Sequence, residues 1–181
     1  MRALRQALPP AAHSARSERI CEHVLALPEY ASARSVALFA PQALEVDVAR
    51  LDAAARAASK IVYYPFMDPT ESGFSTGFRR VDTPAELVDR GRKFLEPPPG
   101  QPQAARGDID LVIVPALAVA ASGHRIGYGL GYYDATLPDV CPPAVAVAVA
   151  FEFQLVAELP VEGNDVAVQI IVTDQRVLAS A

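Results

Sequence analysis

The chain has 181 residues, about the length of one ordinary domain and enough to bury a core without a disulfide or metal staple. Its residues are 51% hydrophobic and 20% charged, with a formal net charge of −5, a balance that excludes a disordered chain and a protein that coats nucleic acid. Of its 16 basic residues only Lys60 and Lys93 are lysine, so any phosphate binding must lean on arginine, backbone amides or a metal.

A short basic helix opens the chain and breaks at Pro9-Pro10. Ile20, Val24 and Leu27 then recur at helical spacing and predict a helix over about 11–27 that ends at Pro28. SVALFA at 35–40 is short, apolar and followed by Pro41, as a buried strand is. Val48, Leu51, Ala55 and Ala58 line one face of a second helix, with Asp47 as its N-cap. IVYYP at 61–65 is the next strand. Strand, helix and strand in so short a span is the grammar of a parallel sheet covered by helices.

Residues 68–107 are richer in Gly and Pro; an edge strand is expected near 73–81 and a short helix near 84–90. LVIVP (111–115), AVAVAVAF (144–151) and VQIIVT (168–173) supply three more strands, and FEFQLVAEL (151–159) reads as a helix between the last two. The expectation is one domain over 1–181, a three-layer α/β sandwich whose mostly parallel sheet of about six strands is flanked by helices.

Cys21 and Cys141 form no CxxC pair, and each reads as a small buried hydrophobe. The start, MRALRQALPP, has no apolar stretch of the kind a targeting segment carries. The longest apolar runs, at 111–121 and 144–151, are shorter than the ~20 residues of a membrane helix. A cytoplasmic protein with no membrane or nucleic-acid partner, monomeric or weakly dimeric, is therefore expected.

The informative segment follows the 111–115 strand. Gly127, Gly129 and Gly131 alternate with larger residues and lead into a helix near Tyr132–Leu137. In open α/β sheets ligands bind beyond the carboxyl ends of strands, where loops enter helices. Loop amides and the helix N-terminus there form an anion cradle, and Arg125 is expected at its rim as a forked cation. Tyr132 excludes the dinucleotide spacing GxGxxG from Gly127, and GK[ST] is absent, which excludes a Walker loop.

The string GHRIGYGLGYYD at 123–134 resembles the signature of the 5-formyltetrahydrofolate cyclo-ligase family, roughly G-x-R-[LI]-G-x-G-x-G-[YF]-Y-D. The likeness continues in VIVPALA before it, LEVD at 44–47, FLEPPPG at 94–100, the closing ELPVEGNDVAVQIIVT and the opening ALRQAL, in the right order along nearly the whole chain. It implies ATP-dependent cyclisation of 5-formyltetrahydrofolate to 5,10-methenyltetrahydrofolate, with ADP and phosphate released.

By that resemblance Arg2, Arg5, Arg125 and the stretch Ile126, Gly127, Tyr128, Gly129, Leu130, Gly131, Tyr132 and Tyr133 hold the ATP phosphates. Asp134 and Asp165 match the Mg²⁺-ligating positions, and two carboxylates suffice where phosphate oxygens and waters complete the shell. Glu45 matches the glutamate that meets the folate, with Tyr128 and Tyr132 as aromatic neighbours and Phe78 a weaker candidate. Read without the resemblance, Asp134 suits a first helical turn and Asp165 a tight turn, and His124 is a solvated loop histidine. The chain departs from the pattern at Met1 and Leu130, where lysine is frequent, at Ala116, where glycine is usual, and at Gln169, where aspartate is frequent. These departures admit two further readings: a non-catalytic folate- or nucleotide-binding relative, and an ATP-dependent ligase with another substrate.

Overall fold

The Val-, Ile- and Ala-rich runs associate side by side, because a strand buried on both faces needs apolar residues throughout. The computed structural model describes residues 1–42, 44–71, 73–92 and 94–180. Helices α1 (Arg2–Gln6), α2 (Pro10–Leu25) and α3 (Pro28–Ser32) precede strand β1 (Ser35–Ala37), and α4 (Ala49–Ala57) leads to the antiparallel pair β2 (Ile61–Thr70) and β3 (Gly73–Arg80). A small hairpin, β4 (Val88–Asp89) with β5 (Leu95–Glu96), comes before β6 (Leu111–Pro115), β7 (Ala118–Ala120) and β8 (Arg125–Ile126). Helix α5 (Tyr132–Val140), β9 (Val145–Val149), β10 (Leu155–Val156), β11 (Ile170–Val172) and β12 (Val177–Ala179) complete the chain.

The main sheet has seven strands in the order β12-β11-β9-β6-β1-β2-β3. The five inner strands are parallel, and antiparallel β12 and β3 close the edges. Alternation along the strands sends side chains to two cores. Val36, Leu111, Ile113 and Val147 meet Ile20 and Val24 of α2 and Leu51 of α4; Ala37, Val112, Val114 and Ala146 meet Leu137 and Val140 of α5. The three-layer α/β sandwich follows directly from that split.

Several elements differ from the sequence reading. The helix expected at 151–159 is a single 3-10 turn, Glu152–Gln154, followed by β10, which pairs with β7. Gln154 decides this: its buried amide accepts from the Phe151 N–H at 2.9 Å and donates to the Ala116 and Leu117 carbonyls at 2.8 and 2.9 Å, tying the chain to a neighbouring loop instead of to a next helical turn. The helix expected near 84–90 likewise shrinks to a 3-10 turn, Pro84–Glu86, in which the Glu86 carboxylate accepts from the Thr83 N–H at 2.9 Å, before β4 begins. Three short strands, β7, β8 and β10, form a second sheet: β7 falls in the apolar run 111–121 that reads as one buried strand, β8 and β10 in segments that read as loop and helix, and β12 adds the seventh strand to the expected six. Ala58 is exposed just past the end of α4, and the N-cap of that helix is Val48 and not Asp47, which lies one residue earlier and accepts from the Ala49 N–H at 2.9 Å. Cys21 is buried, whereas Cys141 is only half-buried.

Candidate active site

The order in which parallel strands are added reverses at the centre of the sheet, with β2 on one side of β1 and β6 on the other. At such a switch point the loops leaving adjacent strands part and open a crevice. A cavity of about 540 Å³ lies there, within the range of small-molecule sites. It is lined by Phe39 and Ala40 beyond β1, Pro115 at the end of β6, Gln42, Glu45, Pro65, Met67, Phe94, residues 125–134, and Pro160, Glu162 and Asp165.

The glycine-rich side is built by backbone. Gly129 has φ +90° and Gly131 φ +60°, conformations that are strained for residues with a Cβ. A Cβ at Gly127, Gly129 or Gly131 would meet no atom within 4 Å, so all three flank open space. Gly131 is the N-cap of α5, placing the free amides of a nine-residue helix behind the loop. Leu130 is 64% exposed.

Arg125 is not at the rim where the sequence reading put it. Its side chain is only 4% exposed, and its guanidinium donates to the Asp134 carboxylate at 3.0 Å and to the Val166 carbonyl. Burial pushes this guanidinium below its ordinary value, with Asp134 opposing. Asp134 Oδ1 also accepts from the Val166 N–H at 3.1 Å; among the described residues its Oδ2 has no hydrogen-bond donor. Asp165 lies on the same wall and accepts from the Glu162 N–H at 2.8 Å, closing a tight turn. Among the described residues no three His, Cys, Asp or Glu side chains converge as a metal cage.

Glu45, beside Tyr128 of the glycine loop, is 5% exposed. Its Oε2 accepts from the Gln42 N–H at 2.7 Å, and burial pushes the carboxyl above its ordinary value against the pull of that amide and of Arg5. Arg5 and Arg2 do not line the cavity; they reach it through Tyr128. Arg5 donates to the Tyr128 hydroxyl at 2.9 Å and to the Leu44 carbonyl at 2.6 Å, leaving its buried Nη2 without a partner among the described residues. Arg2 stacks 5.6 Å above the Tyr128 ring. Tyr132 and Tyr133 meet edge to face at 5.1 Å on the cavity wall, and the Tyr132 hydroxyl donates to the Gly77 carbonyl, docking α5 on β3. Phe78 lies beneath Tyr132, away from the cavity. His124 is half-buried and pairs with Ser122 at 3.1 Å.

Sequence reasoning placed Glu45, Arg125–Asp134 and Asp165 around one site, and all of them meet at this cavity. It missed Phe39, Gln42, Pro65, Met67, Phe94, Pro160 and Glu162. Gln42 had a local signal in its spacing ahead of Glu45, and Phe94 opens the FLEPPPG stretch without being marked as a site residue; Met67 had none, because its place depends on how β2 and the β4–β5 hairpin pack.

A parallel α/β sheet with a glycine turn, a helix N-terminus and carboxylates at its switch point is the architecture of enzymes that hold phosphorylated ligands. The family model described as the 5-formyltetrahydrofolate cyclo-ligase family matches residues 1–174. The 5-formyltetrahydrofolate cyclo-ligase of Escherichia coli K12 is 30% identical over 179 residues, 98% of each protein. That of Mycolicibacterium smegmatis is 42% identical over 80 residues, covering 44% of this chain and 41% of the relative. The solution structure of Aquifex aeolicus 5,10-methenyltetrahydrofolate synthetase superposes with a TM-score of 0.83 at 29% identity, over 98% of this chain and 87% of that one. The chain belongs to the 5-formyltetrahydrofolate cyclo-ligase family and is an enzyme of the ligase class.

Proposed function

We propose that the chain, acting as one cyclo-ligase domain, closes 5-formyltetrahydrofolate to 5,10-methenyltetrahydrofolate at the expense of ATP. The formyl oxygen of an amide is a poor leaving group. Its attack on the γ-phosphorus forms the O–P bond and breaks the bond to ADP. N10 then bonds to the former formyl carbon and loses its proton, and phosphate departs carrying the formyl oxygen. Little covalent work falls to the protein, which must align two ligands and hold phosphoryl charge.

The observation that carries this reading is that one cavity is lined by two unlike sets of groups, a backbone anion cradle at Gly127–Gly131 and a buried carboxylate with aromatic and Met side chains at Glu45, Phe39, Met67 and Phe94. Phosphate oxygens at the cradle meet loop amides and the α5 N-terminus, with the Arg5 charge behind Tyr128. Glu45 accepts hydrogen bonds from pterin nitrogens, while Tyr128 and Tyr132 present ring surface to either ligand. Arg125 orients Asp134 through its guanidinium and holds the Val166 strap over it.

The donor chemistry at Asp134 and Asp165 suits Mg²⁺. One Asp134 oxygen is without a protein donor among the described residues, and Mg²⁺ uses one or two carboxylates with phosphate oxygens and waters. When bound, the ion neutralises charge on the phosphates. Among the described residues no helix is long and apolar enough to cross a membrane, and the reading includes a cytoplasmic enzyme, monomeric or weakly dimeric, whose partners are its two small-molecule substrates.

Incubation with 5-formyltetrahydrofolate, ATP and Mg²⁺ is expected to generate the methenyl chromophore in the near ultraviolet, with one ADP per product. Folded protein that yields no chromophore overturns the proposal.

A further inference from the structure

Glu96 is fully buried, at 0% exposure, yet it carries a carboxylate in a hairpin of two-residue strands. One oxygen accepts from the Met67 backbone N–H at 2.8 Å, fixing β5 to β2. The other accepts from Arg92 at 2.5 Å, and Arg90 lies 3.4 Å from the first. Arg90 also donates to Asp68 on β2 at 2.7 Å, and Asp68 takes Arg79 of β3, whose guanidinium lies 3.7 Å above the Phe66 ring. Two carboxylates and three arginines thus tie the hairpin to the sheet. The segment they hold carries Phe94 into the cavity wall, and the backbone group that Glu96 grips belongs to Met67, on that same wall.

A buried ion network seldom gains stability over an apolar one of the same shape, because removing charges from water offsets their attraction. What charge-assisted hydrogen bonds add is a narrow geometry. An apolar residue at position 96 could bury as well, but it could not hold the Met67 amide and Arg92 at fixed distances at once.

We propose that Glu96 is a positioning residue for the ring-binding end of the cavity, locking Phe94 and Met67 at the separation that a flat bicyclic ring requires. The proposal rests on the reading of that end as the folate end. It predicts that loss of the Glu96 charge affects folate binding far more than ATP binding, since among the described residues no hydrogen bond or ion pair of the network includes Gly127–Gly131.

The test is calorimetric binding of 5-formyltetrahydrofolate and, separately, of ATP with Mg²⁺ to the full chain, which needs no turnover. Glu96→Gln keeps the volume and an acceptor for the Met67 amide but removes the charge. It should weaken folate binding about tenfold and change ATP binding less than about twofold. Arg92→Met should give the same signature from the other side of the pair. In a Phe94→Ala background the Glu96→Gln effect on folate should shrink to about threefold or less, because the part of it that acts through Phe94 is already lost and only the hold on Met67 remains. Equal losses for both ligands, unchanged folate binding, or a full Glu96→Gln effect without Phe94 each overturn the proposal. Wild-type protein that binds folate but forms no methenyl product overturns the catalytic reading and leaves this one standing.

Discussion

Two parts of the cavity lining, here the glycine end and the ring end, are built by opposite means, and they meet where Tyr128 stands beside Glu45. The glycine end is five consecutive residues, Gly127–Gly131, with positive φ at two of them and no atom waiting where a Cβ would go; its one bulky aliphatic side chain, Leu130, is 64% exposed. The ring end is made of buried side chains from separate segments, Phe39 after β1, Glu45, Met67 on β2 and Phe94 on the hairpin, of which Phe39, Glu45 and Met67 are no more than 5% exposed. The difference follows from what each end must meet. An anion is satisfied by several amides from one short turn. A flat ring needs walls on both sides, and these come from elements distant in sequence.

The largest effect is expected where the glycine end meets its carboxylates. Asp134→Asn keeps an acceptor for Arg125 and the Val166 amide but loses the negative charge. With the fold preserved, turnover should fall about a hundredfold or more, some 2.7 kcal/mol in the barrier, and raising Mg²⁺ should recover part of it. Stopped-assay turnover against Mg²⁺ concentration reads this out, and full turnover in the variant removes the metal assignment.

That same contrast governs how much was legible in the sequence. The central strands were readable because burial on both faces demands unbroken apolar runs, as in LVIVP and VAVAV. Strands of two or three residues such as β8, β10 and β12 carry too few positions for a period, and Gln154 looked like an ordinary helical residue until its amide was seen capping a neighbouring loop. The glycine end and Asp134 were legible because their requirement is local. Phe94 and Met67 were not, since only the packing of β5 on β2 brings them to the cavity. Arg125 was found but misplaced: its spacing puts it beside the loop, while its pairing with Asp134 and Val166 turns it inward.

Glu45 sharpens the comparison at the other end, where a buried charge is kept at a cost. Burial raises its carboxyl above the ordinary value, about 4.3 for glutamate. A group with a raised folded-state value favours the fold when protonated, so its contribution is complete below the ordinary value and is lost as pH rises through the folded one. Glu45→Gln retains the acceptor for Gln42 and removes that loss. Thermal unfolding should show the variant more stable than wild type near pH 7 and equal to it near pH 4, while folate affinity falls about tenfold. A variant less stable at neutral pH would mean that the carboxylate is satisfied where it stands.

The smallest effect is expected from restoring a cation to the glycine end. Leu130 stands where lysine is frequent in the family pattern, on the cavity wall yet largely in solvent, so a lysine fits there without displacing packed atoms. An exposed charge interaction gives only ~0.2–1 kcal/mol, so Leu130→Lys should lower the KM for ATP about threefold and leave that for folate unchanged. Salt screens exposed charges over about 10 Å at 0.1 M, and the gain should shrink as ionic strength rises. A shift in the folate KM instead would break the division of labour between the two ends, because it would place the side chain of residue 130 over the ring and not over the phosphates.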